Sequence, residues 1–147
     1  VRPLVAASEY AVTRSFKAST VGTLLADATP ISFAVGKRWA QPYAPVHVAG
    51  SRDGSGNLAI SWVRRTRLDA PWLDGSDAPL GEESEAYEID VLDGTDVVRT
   101  ITATTPAASY PAADQTTDFG SAQAAVTVRI YQMSARVGRG LPAEAEV

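Results

Sequence analysis

The chain has 147 residues, 45% of them hydrophobic and 20% charged, which fits one compact domain or one domain plus part of a second and excludes a wholly disordered polypeptide. Zero Cys and a single His remove disulfides, thiolate nucleophiles, zinc ribbons, iron–sulfur ligation and HExxH-type zinc sites, and no apolar run reaches the roughly 20 residues of a membrane-spanning helix. The formal net charge of −4 argues against nonspecific nucleic-acid binding, yet it is unevenly spread: residues 1–67 hold 9 basic and 3 acidic side chains (+6), residues 68–147 hold 4 and 14 (−10).

The chain opens on Val1 rather than Met, as expected of a processed product or part of a longer protein. In residues 1–41, Tyr10, Val12 and Phe16 form one period-two run and Ile31, Phe33 and Val35 a second, so two strands are expected. Residues 20–28 come nearest to an amphipathic helix but are short and contain Gly22, and no segment reads as a convincing helix. Forty-one residues rarely bury enough surface to fold alone. This strand-rich segment is expected to complete a preceding domain or to pack on the next one, with the boundary at Gln41-Pro42-Tyr43-Ala44-Pro45.

From residue 42 onward the alternation is strong. Leu58, Ile60 and Trp62 alternate with Asn57, Ala59 and Ser61; Tyr87, Ile89 and Val91 with Glu88, Asp90 and Leu92; Val126, Val128 and Ile130 with Thr127, Arg129 and Tyr131. β-Branched and aromatic residues dominate each run, as a half-buried pleated surface requires. Asp53-Gly54-Ser55-Gly56, Asp93-Gly94 and Val137-Gly138-Arg139-Gly140 supply turns. Strands are predicted near 45–50, 57–63, 85–92, 96–104, 108–111, 124–134 and 142–146. Seven short strands in about 100 residues is the immunoglobulin-like pattern. Without cysteines, residues 42–147 fit its fibronectin type III variant, an all-β sandwich with Trp62 as central core aromatic under Tyr87, Ile89, Val128 and Ile130.

Between the second and third of these strands lies a long excursion that starts on Arg64, Arg65 and Arg67, passes Trp72, and ends on Glu82, Glu83 and Glu85. A loop that leaves and returns at one end of a sandwich brings these opposite charges together. Two readings stand: the pairs fix the excursion, with Trp72 folded on the sandwich, or Trp72 and the arginines face a neighbouring subunit, where Trp and Arg are enriched.

Catalytic chemistry finds little footing. Asp74, Asp77, Glu82 and Glu83 lack EF-hand spacing, and a glycosidase's carboxylate separation is not readable from an acidic loop. His47 alternates outward on a strand without a Gly-x-Ser-x-Gly elbow, and Gly54 and Gly56 precede a strand rather than a phosphate-binding helix. No cofactor or metal is expected, and no enzyme.

Several blocks taken together carry a resemblance. In order they are Trp62-Val63-Arg64-Arg65-Thr66-Arg67, Asp69, Trp72, Pro79-Leu80-Gly81-Glu82-Glu83-Ser84-Glu85, Tyr87-Glu88, Val98-Arg99-Thr100, Tyr110, Asp118-Phe119-Gly120, Tyr131-Gln132, Ser134, Gly138-Arg139-Gly140 and Pro142. From Pro42 to the end the chain resembles the C-terminal region of the large tail-tip (baseplate) protein of alphaproteobacterial gene transfer agents and related long-tailed phages. Full-length members carry a TIM-barrel domain far upstream; none of it is present, so no catalytic residue carries over. The resemblance implies a structural and adhesive module in a virion tail tip. Its expected partners are other tail-tip proteins, copies of itself around the tail axis and host surface glycans, with no nucleic acid and no direct membrane insertion. The alternative is a carbohydrate-binding accessory module, for which Trp72, Trp39 and Tyr43 are the candidate stacking aromatics.

Overall fold

The computed structural model describes residues 7–68, 74–75 and 77–147. They form two compact units, residues 1–40 and 41–147.

In the first unit, β1 (Thr13–Phe16) pairs antiparallel with β2 (Ile31–Ala34), Phe16 opposite Ile31 and Arg14 opposite Phe33. Side chains alternate across a strand, so one face carries Arg14, Phe16, Ile31 and Phe33. The Phe16 and Phe33 rings stack on it, with centroids 4.7 Å apart. On the other face the Ser15 and Ser32 hydroxyls hydrogen-bond at 2.6 Å. β1 is shorter than the alternation suggested because Tyr10 and Ala11 turn, with Ala11 at φ 63°, and β2 ends one residue before Val35. Residues 20–28 hold only a 3-10 turn, Leu25–Asp27.

The second unit is a fibronectin type III-like β-sandwich. One sheet has β3 (Val46–Arg52), β4 (Leu58–Val63) and β7 (Ala107–Tyr110) in the order β3-β4-β7. The other is ordered β10-β8-β5-β6, from β5 (Tyr87–Asp93), β6 (Asp96–Ala103), β8 (Thr127–Ser134) and β10 (Ala143–Glu146). All seven strands stand where the alternation placed them, to within three residues. A two-residue strand, β9 (Gly138–Arg139), pairs with the end of β8, where the sequence reading had only a turn.

Between the sheets lies the core. Leu58, Ile60 and Trp62 from one side meet Tyr87, Ile89, Val91, Val128 and Ile130 from the other, all buried. Each such aliphatic side chain contributes about 1.5–3 kcal/mol of transfer free energy. The Trp62 and Tyr87 rings pack edge to face, centroids 5.0 Å apart.

The helix-free reading of the sequence is corrected by α1 (Ala112–Phe119), which connects β7 to β8. In its sequence, Ala-Ala-Asp-Gln-Thr-Thr-Asp-Phe, Phe119 packs against the core but the one buried residue is the polar Gln115, so tertiary hydrogen bonds hold the helix as well as packing. The first N–H, of Ala112, donates to Asn57 Oδ1 in the β3–β4 turn, 55 residues away, and Gly120 at φ 81° closes the last turn by donating to the Thr116 carbonyl.

Candidate interaction site

The excursion leaves β4 at Val63 and rejoins the sandwich at β5. Arg64 spans it: Nη2 donates to Asp77 Oδ2 at 2.5 Å, and Nε lies 3.6 Å from Glu85 Oε1. Glu85 in turn accepts from the Tyr87 hydroxyl at 2.7 Å, which ties the returning end to the core. Arg67 Nε donates to Glu82 Oε1 at 2.9 Å, in a pair whose carboxylate side chain is only 5% exposed. Arg65 departs from the pairing scheme and lies over the Tyr43 ring, 5.0 Å from its centroid. Glu83 is exposed. Trp72 falls outside the described residues. Thus four of the six charged candidates meet in two clamps, Arg64–Glu85 and Arg67–Glu82.

Asp77 and Glu85 serve different ends of this arrangement. The hydrogen bond from Arg64 holds the Asp77 carboxyl below its ordinary range. Burial, followed by the Glu85 hydrogen bond, pushes the Tyr87 hydroxyl well above its ordinary value, so it stays a donor throughout the working pH range.

Two further polar clusters hold residues that the sequence reading placed only within the resemblance and not among its candidate site residues. On the outer face of the larger sheet the register forms a cross-strand row, Glu144–Arg129–Asp90–Thr100. Above it lies Arg139 of β9. Its Nη1 and Nη2 donate to the two Asp90 oxygens at 2.6 and 3.0 Å, its Nε donates to Glu88 at 2.6 Å, and its guanidinium covers the Tyr131 ring at 4.5 Å. Asp90 is thereby 2% exposed although it occupies the solvent-facing register of β5. Burial works to raise its carboxyl, but hydrogen bonds from Arg139 and Thr100 outweigh it and hold it below the ordinary range. Gly140 lets this happen: a Cβ there would lie 2.8 Å from the carbonyl oxygens of both Gln132 and Pro42. The sequence offered an Arg between two glycines and the resemblance blocks, neither of which names Asp90 as the partner.

At the other cluster, Arg99 of β6 forms a bidentate pair with Asp118 of α1 at 2.6 and 3.0 Å, and the buried Tyr110 hydroxyl donates to the same carboxylate. Gln115, fully buried, completes the helix anchorage. Its Nε2 donates to the Tyr110 and Gly56 carbonyls, and its Oε1 accepts from Arg52 and from the Gln123 backbone.

His47 is exposed and takes φ 52° at a register shift in β3. Among the described residues, no group of three or more His, Cys, Asp or Glu is arranged to hold a metal ion. No described helix is long and apolar enough to cross a membrane.

No family model and no curated protein matches the chain. Solved structures do. Domains d3-d4 of the rat CD45 extracellular region align with 100% of this chain at 13% identity and a TM-score of 0.52; the chain spans 66% of that fragment's length. A myokine aligns with 72% of this chain and 95% of its own, at 15% identity and TM-score 0.47. The fibronectin type III domain of human fibronectin type III domain containing protein 3 aligns with 73% of this chain and 84% of its own, at 12% identity and TM-score 0.46. At 13% identity the likeness to the CD45 domains concerns the fold alone.

Proposed function

We propose that the chain is a noncatalytic structural module of a phage or gene-transfer-agent tail tip, contributing to the distal tail assembly and to attachment at the host surface. One observation carries the reading. The residues on which the tail-tip resemblance rests, Arg64, Arg67, Glu82, Glu85, Arg99, Tyr110, Asp118, Tyr131 and Arg139, fall into ion-pair and ring contacts that brace loops and sheet faces. Such a motif specifies a rigid module; a catalytic motif would leave a base or nucleophile free to meet substrate. Localisation in the virion follows from the same reading.

The charge asymmetry suggests how copies are arranged. Basic and acidic regions of neighbouring copies set register and orientation more than they supply affinity. Reversing Arg64, Arg65 and Arg67 to Glu in the full tail protein should leave particles with defective tips, scored by electron microscopy and by delivery to host cells; normal particles would count against the reading.

The carbohydrate-binding alternative draws on Trp39 and Tyr43, 49% and 42% exposed. Arg65 already covers the Tyr43 ring, and the Trp39 ring meets Tyr10 edge to face at 5.9 Å. Titration with host polysaccharide separates the readings: saturable binding lost on Trp39→Ala or Tyr43→Ala favours the lectin-like role.

A further inference from the structure

The chain holds three Asp-Gly dipeptides, Asp53-Gly54, Asp74-Gly75 and Asp93-Gly94, and each glycine lies in a turn. This dipeptide is open to main-chain isomerisation, because glycine has no Cβ to shield its nitrogen from the preceding side chain. The Gly nitrogen attacks the Asp Cγ: the N–Cγ bond forms, the Cγ–OH bond breaks, and the N–H proton leaves with that hydroxyl as water. Water then reopens the five-membered imide at either carbonyl. Opening at the main-chain carbonyl leaves the chain running through Cγ, an isoaspartate of unchanged mass and oxidation state. The first step needs a carboxyl that can turn toward the nitrogen and that carries its proton, since hydroxyl leaves more readily than oxide.

The fold treats the three sites differently. Asp53 is held fast: its Oδ1 accepts from the Ser55 and Asn57 backbone N–H groups at 2.8 and 2.9 Å, and its Oδ2 accepts from Asn57 Nδ2 at 2.8 Å. The bond from the Asn57 side chain, followed by those from the backbone, keeps this carboxyl below its ordinary range, so the protonated form is scarce. Asp93 ends β5 and pairs in register with Asp96 across the Gly94 turn, which restrains its main chain. Asp74 has neither restraint. It lies outside every strand, it is exposed, and among the described residues its carboxylate has no hydrogen bond or ion pair. Gly75 beside it is exposed as well, with nothing within 4 Å of where a Cβ would stand.

We infer that Asp74-Gly75 is a modification site at which the chain forms isoaspartate spontaneously, and that Asp53-Gly54 is a site which the fold protects. The added main-chain carbon enters the excursion three residues before Asp77, whose carboxylate is held by Arg64. Time thus alters the excursion and spares the sandwich. The inference does not depend on the tail-tip reading.

The test incubates the purified full chain at neutral pH and follows isoaspartate at each site, by peptide mapping with electron-based fragmentation and by methyl uptake under protein isoaspartyl methyltransferase. Asp74 should convert at least about tenfold faster than Asp53, the factor carried by one hydrogen bond to a charged group. Asp93 should fall between them. In urea that unfolds the chain the three rates should converge. Asn57→Asp keeps the acceptor for the Ala112 N–H and removes the Nδ2 donor, so it should speed conversion at Asp53. Asp74→Glu, whose longer side chain closes the ring far more slowly, should abolish the signal from the excursion. Conversion at Asp53 or Asp93 as fast as at Asp74 in the folded chain overturns the inference. So does the same ranking in urea, which would place the difference in the neighbouring sequence and not in the fold.

Discussion

Arg139 reaches across the outer face of the larger sheet and grips both oxygens of Asp90, 49 residues earlier in the chain, at 2.6 and 3.0 Å. The carboxylate it covers is almost inaccessible, while the arginine side chain itself is 39% exposed. An exposed partner over a buried one makes the two residues unequal in mutation.

Arg139→Ala should therefore cost about 2 kcal/mol, below the range for fully buried pairs because solvent screens the guanidinium. It leaves Asp90 buried with Thr100 as its remaining side-chain donor. Arg139→Lys keeps the charge but loses the fork, and should fall between. Urea midpoints at constant m-value would measure both.

Asp90 and Asp118 both hold carboxyls below the ordinary range, Asp90 against an opposing burial effect and Asp118 chiefly through its hydrogen bond from Arg99. In the unfolded chain each titrates near about 3.9. Between that value and the lower folded one the unfolded state binds more protons, so stability rises with pH there. The contribution is fully present above about pH 4 to 5 and is lost as pH falls through the folded values. Thermal midpoints should accordingly drop steeply below about pH 4, and Asp90→Asn should flatten that acid limb while lowering the neutral plateau.

The sandwich was legible because its information is local and periodic. Leu58, Ile60 and Trp62 alternate inward, and each burial class in β4 and β8 follows that alternation residue by residue. Helix α1 was not, since Ala112–Phe119 is short, buries a polar residue, Gln115, and depends on contacts to Asn57, Arg99 and Gly56 that no window of sequence contains. For the same reason the excursion's opposed charges could be matched by sign, but Arg139 could not: its partners lie on a strand whose register only the folded sheet supplies.

Gly140 is expected to tolerate no side chain. A Cβ would meet two backbone oxygens at 2.8 Å and Pro42 Cβ at 2.9 Å, and none of these is the movable end of a side chain. Gly140→Ala should lose about 2 kcal/mol or more. Gly54→Ala, in a turn where a Cβ meets nothing within 4 Å, is the matched control and should be close to neutral in the same calorimetric scan.

Gln115→Leu keeps the volume but strands four groups, the Gly56 and Tyr110 carbonyls, the Gln123 N–H and Arg52 Nη1. Each unsatisfied buried group costs about 1–3 kcal/mol where water does not reach it. A loss of about 3 kcal/mol is expected, with amide exchange accelerating first in α1 and in the Gly56 turn. Uniform acceleration across all strands would mean that Gln115 acts on the whole fold and not as a local anchor.

The Arg64–Asp77 contact and the Arg67–Glu82 clamp of the excursion should differ in the same experiment. Asp77 is 81% exposed, so Asp77→Ala should leave the unfolding midpoint unchanged. Glu82 is 5% exposed beside Arg67, so Arg67→Ala strands a sheltered carboxylate and should cost about 1–2 kcal/mol. Gly81 sharpens the contrast: at φ 74° it brings the chain against Leu68 and Thr66, so the Arg67–Glu82 pair closes a packed turn. Amide exchange across residues 64–68 and 77–86 should therefore accelerate in Arg67→Ala and stay unchanged in Asp77→Ala. Equal acceleration in both would place the constraint in Arg64 rather than in the Arg67–Glu82 pair.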